Sequence, residues 1–382
     1  MRIALDAQPL IGERLTGIGY CQAGQLTALA KQYPNDSYCL QYFSGRDDAP
    51  KRERLQPYLR ENVTLQAAKA SGYLYRMALT ILPVSYQHYF GKDAEITHFF
   101  NYIVPPNVHG KTVVTVHDMV YKAYPETMRG RTKYMLQLGL KKSLERADRI
   151  VTDSEFSKSE ICRYFPQYQE KLRVVYCGVN TKQFHSVCES EIQEARKKYD
   201  LDRDYFLYLG TVEPRKNLSR LIEAYQIFVR GKQSPPYLVL AGGNGWRNSE
   251  IYQKASELGI QKYVKFTEYV PEEFLCPLMC GALAFVFPSI YEGFGMPPLE
   301  AMACGVPVLT AVAASLPEVV GEDAVLVDPY KPDEIAGGLE RLYMDEKLRK
   351  RLSEAGKRRV LDYSWERSAE QLHAIYEELC HG

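Results

Sequence analysis

Residues 282–310, ALAFVFPSIYEGFGMPPLEAMACGVPVLT, place an apolar run, a glycine-bearing turn, a short helical pattern and a second apolar run in succession. Ala282 to Phe287 reads as a buried strand. Pro298 to Ala303 reads as the opening of a helix with proline near its start, and Val306 to Thr310 as the next strand. Free backbone N–H groups at a helix start are electropositive and attract anions. Two carboxylates eight positions apart, Glu292 and Glu300, flank this turn. Glu300 falls on the helix, where it can accept hydrogen bonds from a ribose, and Glu292 falls on the preceding loop, nearer a reacting sugar. The block therefore reads as a pocket for an anion and a ribose.

Two series of such strands run along the chain. The first holds Ile3 to Leu5, Tyr38 to Phe43, Ile96 to Phe100, Lys111 to Val116 and Arg149 to Thr152. The second holds Tyr205 to Gly210, Tyr237 to Gly242, Val264 to Phe266, the strand before the opening block, Val306 to Thr310 and Ala324 to Val327. Nearly continuous apolar strands between helical stretches indicate parallel sheets covered on both faces. The predicted fold class is α/β, with two Rossmann-like doubly wound domains. Val174 to Asn180 reads as a turn into a linker. Residues 1–178 and 179–363 form the two expected domains, and 364–382 a final helix capped by Ser364, with Leu372, Ile375, Tyr376 and Leu379 on one apolar face.

At 382 residues the chain exceeds what one core usually serves. No apolar stretch reaches bilayer-spanning length and the N-terminus begins with a strand, which predicts an unprocessed cytoplasmic protein. The nine cysteines include no Cys-x-x-Cys pair and read as reduced thiols, with Cys276 and Cys280 as a helical i,i+4 coincidence. Residues 1–180 carry 24 Lys+Arg against 17 Asp+Glu, and the remainder 24 against 30. The basic half suits a phosphate-bearing acceptor or an anionic membrane surface, or is simply solvated. The aromatic-rich segment 70–91 reads as a core helix, with a membrane-dipping or acceptor-facing segment as the other possibility. No nucleic-acid motif appears.

Several residues outside the block can carry chemistry. Gly210-Thr211-Val212-Glu213-Pro214-Arg215-Lys216-Asn217 links a strand to an amphipathic helix, and its adjacent cations suit a diphosphate. Thr16-Gly17-Ile18-Gly19-Tyr20 follows the first strand, and its glycines permit close backbone approach. His117 and Asp118 end the strand Lys111 to Val116, where open α/β sheets place ligands, although a strand-end histidine alone is more often structural. Ser154 and Ser157 read as helix-cap residues, with Ser154 also a possible ligand.

The Glu-Pro-Arg-Lys-Asn loop, the Glu292-x7-Glu300 block and the strand order resemble family 4 of the retaining glycosyltransferases, in particular the mannosyltransferase-like branch of O-antigen and surface-polysaccharide synthesis. The resemblance runs nearly end to end and implies the GT-B fold: two domains facing a central cleft, with the C-terminal helix crossing back to the N-terminal domain. It implies catalytic roles for His117, Glu292, Lys216 and Arg215. Donor contacts are implied for Gly17, Gly19, Gly210, Thr211, Gly293, Phe294, Gly295, Met296, Pro297, Leu299 and Glu300, and acceptor contacts for Tyr20, Asp118 and Ser154. His117 would contact the donor sugar's C6 hydroxyl. Many relatives carry arginine where Thr211 and Tyr20 stand here.

No Asp-x-Asp motif occupies a strand-end loop, so no cofactor or metal is expected. GDP-mannose is the favoured donor, with UDP- and dTDP-sugars open. A glycan or polyprenyl-diphosphate-linked acceptor is expected, with peripheral contact at the inner membrane surface. A nucleotide-sugar 2-epimerase and a non-catalytic sugar-nucleotide-binding scaffold are the competing readings.

Overall fold

The computed structural model describes residues 1–72, 74–75, 84–243 and 249–381. It divides into two compact units, one formed by Met1–Gly178 with Ser364–Gly382 and the other by Val179–Tyr363.

The first unit is built on seven parallel strands: β1 (Arg2–Asp6), β2 (Ser37–Phe43), β3 (Val63–Ala68), β4 (Ile96–Phe99), β5 (Lys111–Thr115), β6 (Arg149–Thr152) and β7 (Leu172–Val174). Their order is β3-β2-β1-β4-β5-β6-β7, so the winding reverses between β1 and β4. Helices on both faces bury central strands completely, which explains runs such as Ile96 to Phe99 with no polar face. Two edge strands escaped the sequence reading. Val63–Ala68 alternates irregularly between buried and exposed positions, and Leu172–Val174 is only three residues long.

The described parts of segment 70–91 contribute to the core. Tyr75, Tyr86 and Phe90 are buried around Phe43, whose ring lies 4.6 Å from Tyr75 and 5.1 Å from Phe90. Residues 73 and 76–83 of that segment lie outside the described residues. Among the described residues, no helix is long and apolar enough to cross a membrane.

The helix Trp365–His381 packs in this first unit. Its buried face includes Leu372, Ile375, Tyr376 and Leu379. Ser364 caps it by accepting the Arg367 N–H at 3.1 Å. Tyr376 reaches the sheet through His98, whose Nδ1 lies 2.7 Å from the tyrosine hydroxyl and whose Nε2 lies 2.8 Å from Thr115 Oγ1. Burial pushes His98 down to about 3, so it stays neutral there.

The second unit holds β8 (Tyr205–Leu209), β9 (Tyr237–Ala241), β10 (Val264–Glu268), β11 (Ala284–Phe287), β12 (Val308–Ala311) and β13 (Val325–Val327). All pair in parallel in the order β10-β9-β8-β11-β12-β13. The reversal falls between β8 and β11. After β8, Leu218–Val229 buries Leu218, Leu221, Ile222, Tyr225, Phe228 and Val229, the three-and-four spacing of an amphipathic helix. Open α/β sheets bind ligands beyond the carboxyl ends of strands at such a reversal. Here those ends carry residues 210–217 and 288–295.

Candidate active site

The loops after β8 and β11 are joined by a cluster of buried charges. Glu292 is 8 % exposed. Its Oε1 accepts from Lys216 Nζ at 2.7 Å, and its Oε2 from an Arg215 guanidinium nitrogen at 2.9 Å. The Ser289 hydroxyl donates a further short hydrogen bond to Oε1. Arg215 also donates to Tyr291 O at 2.7 Å and to Glu213 Oε1 at 2.8 Å. Burial alone would raise the Glu292 carboxyl, but the Arg215 and Lys216 charges and the hydrogen bonds from Lys216 and Ser289 hold it at about 2. Burial pulls Lys216 below its ordinary value against the opposing pull of Glu292, with Arg215 adding repulsion. The ammonium also lies 4.8 Å from the Phe287 ring centroid.

Backbone contacts lock these loops together. Ile290 N–H donates to Arg215 O at 3.1 Å. Asn217, 4 % exposed and left-handed at φ 63°, donates its side-chain amide to Pro288 O at 3.1 Å and Pro329 O at 2.6 Å. Asparagine tolerates this backbone conformation better than most residues. Three loops thus meet on one side chain.

Glu300 differs sharply from Glu292. It lies one turn into the helix Met296–Ala303, half-buried, and among the described residues no cation or hydrogen-bond donor is paired with its carboxylate. Burial pushes it up to about 7. The helix starts from Gly295 at φ 106°, where a Cβ would meet Leu316 at 2.8 Å. Ser315 supports this turn from beneath, its hydroxyl within 2.9 Å of Glu292 O and 2.7 Å of Phe294 O.

Pro297 and Pro298 occupy the second and third helical positions and carry no N–H. Met296 supplies the one amide of the first three helical positions, and Gly293, Phe294 and Gly295 supply those of the preceding loop. Leu299 is fully buried within this helix, so neither its side chain nor its backbone is exposed in this structure.

Gly210 and Gly242 end the adjacent strands β8 and β9. A Cβ on Gly242 would lie 2.0 Å from Gly210 O, and both glycines have positive φ. Thr211 is exposed, and its carbonyl accepts from the Tyr208 hydroxyl at 3.0 Å.

In the first unit, His117 follows β5 and is 7 % exposed. Its Nδ1 lies 2.6 Å from Asp153 Oδ2 and its Nε2 2.8 Å from Phe100 O. Both partners are acceptors, so both nitrogens donate and the ring is an imidazolium. Burial alone would lower its pKa, but the charge and hydrogen bond of Asp153, aided by the Phe100 carbonyl, raise it to about 10. Both ring nitrogens are therefore engaged within this unit.

Asp118 Oδ1 accepts the Val120 N–H at 3.0 Å. Ser154 is fully buried and caps the helix Glu155–Tyr164 by accepting the Ser157 N–H at 3.0 Å. Gly17 and Gly19 are the first and third residues of the helix Gly17–Gln32. A Cβ on Gly19 would lie 2.9 Å from Pro9 O, so close packing accounts for that glycine. Tyr20 is half exposed.

Residues 189–359 match the family described as Glycosyl transferases group 1, and residues 28–183 match Glycosyltransferase Family 4. The chain is 34% identical over 286 residues to the O-antigen chain mannosyltransferase B of Escherichia coli, a match covering 74% of each. The chain belongs to the family 4 glycosyltransferases. It is also 31% identical over 271 residues to a serotype-specific mannosyltransferase WbdA of Escherichia coli, covering 69% of this chain and 33% of that longer relative. Sucrose-phosphate synthase from Thermosynechococcus elongatus superposes with a TM-score of 0.75 at 22% identity, covering 99% of this chain and 98% of its own. The glycosyltransferase thus has the GT-B fold.

Within its second unit the enzyme gathers Glu292, Arg215 and Lys216 into direct contact, and Glu300 follows eight residues later on the adjoining helix. Ser289, Ser315 and Asn217 support that arrangement, and Asp153 does the same for His117. Ser289, three residues before Glu292, and Asn217, next to Lys216, carry proximity as a sequence signal, whereas Ser315 and Asp153 lie 23 and 36 residues from their partners and carry none.

Proposed function

We propose that this glycosyltransferase moves mannose from GDP-mannose to a hydroxyl of a glycan or polyprenyl-diphosphate-linked glycan, retaining the α-configuration and using no metal ion. The observation that carries this reading is the Lys216–Glu292–Arg215 cluster at the sheet reversal, with Glu300, whose carboxylate has no partner among the described residues, on the adjoining helix. The printed names of two relatives, both mannosyltransferases, support the choice of sugar. The guanine base, the lipid-linked acceptor and peripheral association with a membrane rest on the family resemblance and on the basic first half of the chain.

In this reading Glu300 accepts hydrogen bonds from the ribose. Lys216 spends one of its three donors on Glu292 among the described residues and directs the others at the diphosphate. Arg215, bound to Glu213, Glu292 and the Tyr291 carbonyl, acts mainly by positioning Glu292. With its carboxylate already held by three donors, Glu292 suits orientation of the sugar better than nucleophilic attack. As the bond from the anomeric carbon to phosphate breaks, Lys216 and the Met296 and loop amides offset the charge growing on the leaving diphosphate. The acceptor oxygen bonds to the same face of the sugar and passes its proton to the departing phosphate oxygen.

The test is a panel of GDP-mannose, UDP-glucose, UDP-galactose and dTDP-sugars, read by thermal shift and by release of nucleoside diphosphate. A ligand that binds only the folded state raises Tm. GDP-mannose should give the largest shift, with turnover unaffected by EDTA. A larger shift from a UDP-sugar overturns the donor assignment, and loss of turnover in EDTA that magnesium or manganese restores overturns metal independence. Conversion of GDP-mannose to an epimer without acceptor would instead identify an epimerase.

A further inference from the structure

Cys276 and Cys280 lie four residues apart on the helix Glu272–Cys280, and Cys304 ends the helix Met296–Ala303. Folding brings all three sulfurs within 4.8 Å of one another, with Cys276 and Cys304 only 3.4 Å apart. The i,i+4 pair puts two thiols on one helix face, and the third arrives from another element. The expectation of a helical coincidence took no account of Cys304.

We propose that Cys276, Cys280 and Cys304 form a site for a thiophilic d10 cation, zinc above all, distinct from the reaction centre. Zinc–sulfur bonds of about 2.3 Å in tetrahedral geometry place sulfurs about 3.8 Å apart, so the observed spacing needs only small adjustments. The first two ligands have a Cys-x3-Cys spacing, within the range typical of structural zinc sites.

The surroundings suit the thiolate forms such an ion requires. The His185 N–H points at Cys276 Sγ over 3.4 Å and can continue to donate once the sulfur is ionised. Cys276 and Cys280 also donate to His185 O, at 2.9 and 3.3 Å. Binding would exchange those S–H donations for metal–sulfur bonds and release the thiol protons to solvent. Cys276 and Cys304 are buried, whereas Cys280 is half-buried and His185 exposed, which leaves an entry path and room for a fourth ligand. The ion would staple the residue 185 segment and both helices together.

The test uses the full chain, purified reduced and stripped of metal. Zinc is titrated against a chromophoric chelator, and cobalt(II) serves as a spectroscopic probe. One zinc per chain is expected, with thiolate-to-cobalt charge-transfer absorption. Cys280→Ala and Cys304→Ser should weaken zinc binding more than about a hundredfold, beyond the roughly 10- to 100-fold typical of outer-shell changes. Cys188→Ala, an exposed thiol outside the cluster, should not weaken it. If Cys304→Ser misfolds by circular dichroism, the half-buried Cys280→Ala decides. Wild-type binding far below one equivalent, or wild-type affinity in Cys280→Ala, overturns the proposal.

Discussion

Lys216 Nζ meets Glu292 Oε1 over 2.7 Å across 76 residues of sequence, joining the strand-end loops on either side of the sheet reversal. Without Glu292, Lys216 and Arg215 are left as neighbouring cations, whereas without Lys216 the Arg215 guanidinium still faces Glu292. Removing one partner of a buried pair typically costs about 3–5 kcal/mol. Lys216→Ala leaves Arg215 to compensate Glu292, so its cost should fall at or below the lower end. Glu292→Gln leaves two cations facing a neutral amide and should cost more. Both should reduce transfer by roughly 10²–10³, Lys216→Ala through lost charge stabilisation and Glu292→Gln through lost orientation of the sugar. Urea unfolding and kcat measure the two effects, and wild-type turnover by either folded variant would remove these residues from the reaction.

Glu300 predicts an opposition between stability and binding. Its folded pKa of about 7 lies above its ordinary value of 4.5, so ionisation destabilises the ligand-free fold increasingly as pH rises through that window. At pH 8, Glu300→Gln should therefore stabilise the apo protein by up to about 3 kcal/mol. The same variant should bind donor weakly and without the decline in affinity expected of wild type below pH 7. A variant less stable than wild type at pH 8 would contradict the unpaired carboxylate.

His117 has the opposite sign. Its pKa is raised from 6.5 to about 10, so its stabilising contribution is fully present below 6.5 and is lost as pH climbs to 10. Wild type should lose on the order of 3 kcal/mol more than His117→Ala across that window. Parallel stability profiles from pH 6 to 10 would exclude a structural imidazolium.

Asn217 combines a left-handed backbone with two buried amide donations. Asn217→Ala should cost about 2–4 kcal/mol by stranding two carbonyls and straining φ. Asn217→Gly keeps the loss of hydrogen bonds but relieves the strain, and should be about 1 kcal/mol more stable than the alanine variant. Equal stabilities in thermal unfolding would refute a conformational component.

How much of this was legible in the sequence depended on whether a signal was local. The helix Leu218–Val229 and the buried strands announce themselves through period and apolar runs, and Glu292 and Glu300 through their spacing around a glycine turn. Three-residue β7 offered too short a run, and β3 has mixed burial as an edge strand. Pro297 and Pro298 mark the helix opening in the sequence and at the same time remove two helix-start donors. Pairings such as His117 with Asp153, Asn217 with Pro329 and Cys304 with Cys276 cross 28 to 112 residues, and no local period encodes them.

The Asn217 bridge also sets a limit on engineering. Because one amide holds the backbone at Pro288 and Pro329 as well as its own loop, these three loops are a single transplantable cassette and not separable parts. Grafting residues 288–300 from another transferase to alter sugar preference would bring foreign carbonyls to an old asparagine. Chimeras should keep their catalytic competence only when the crossover points enclose all three segments.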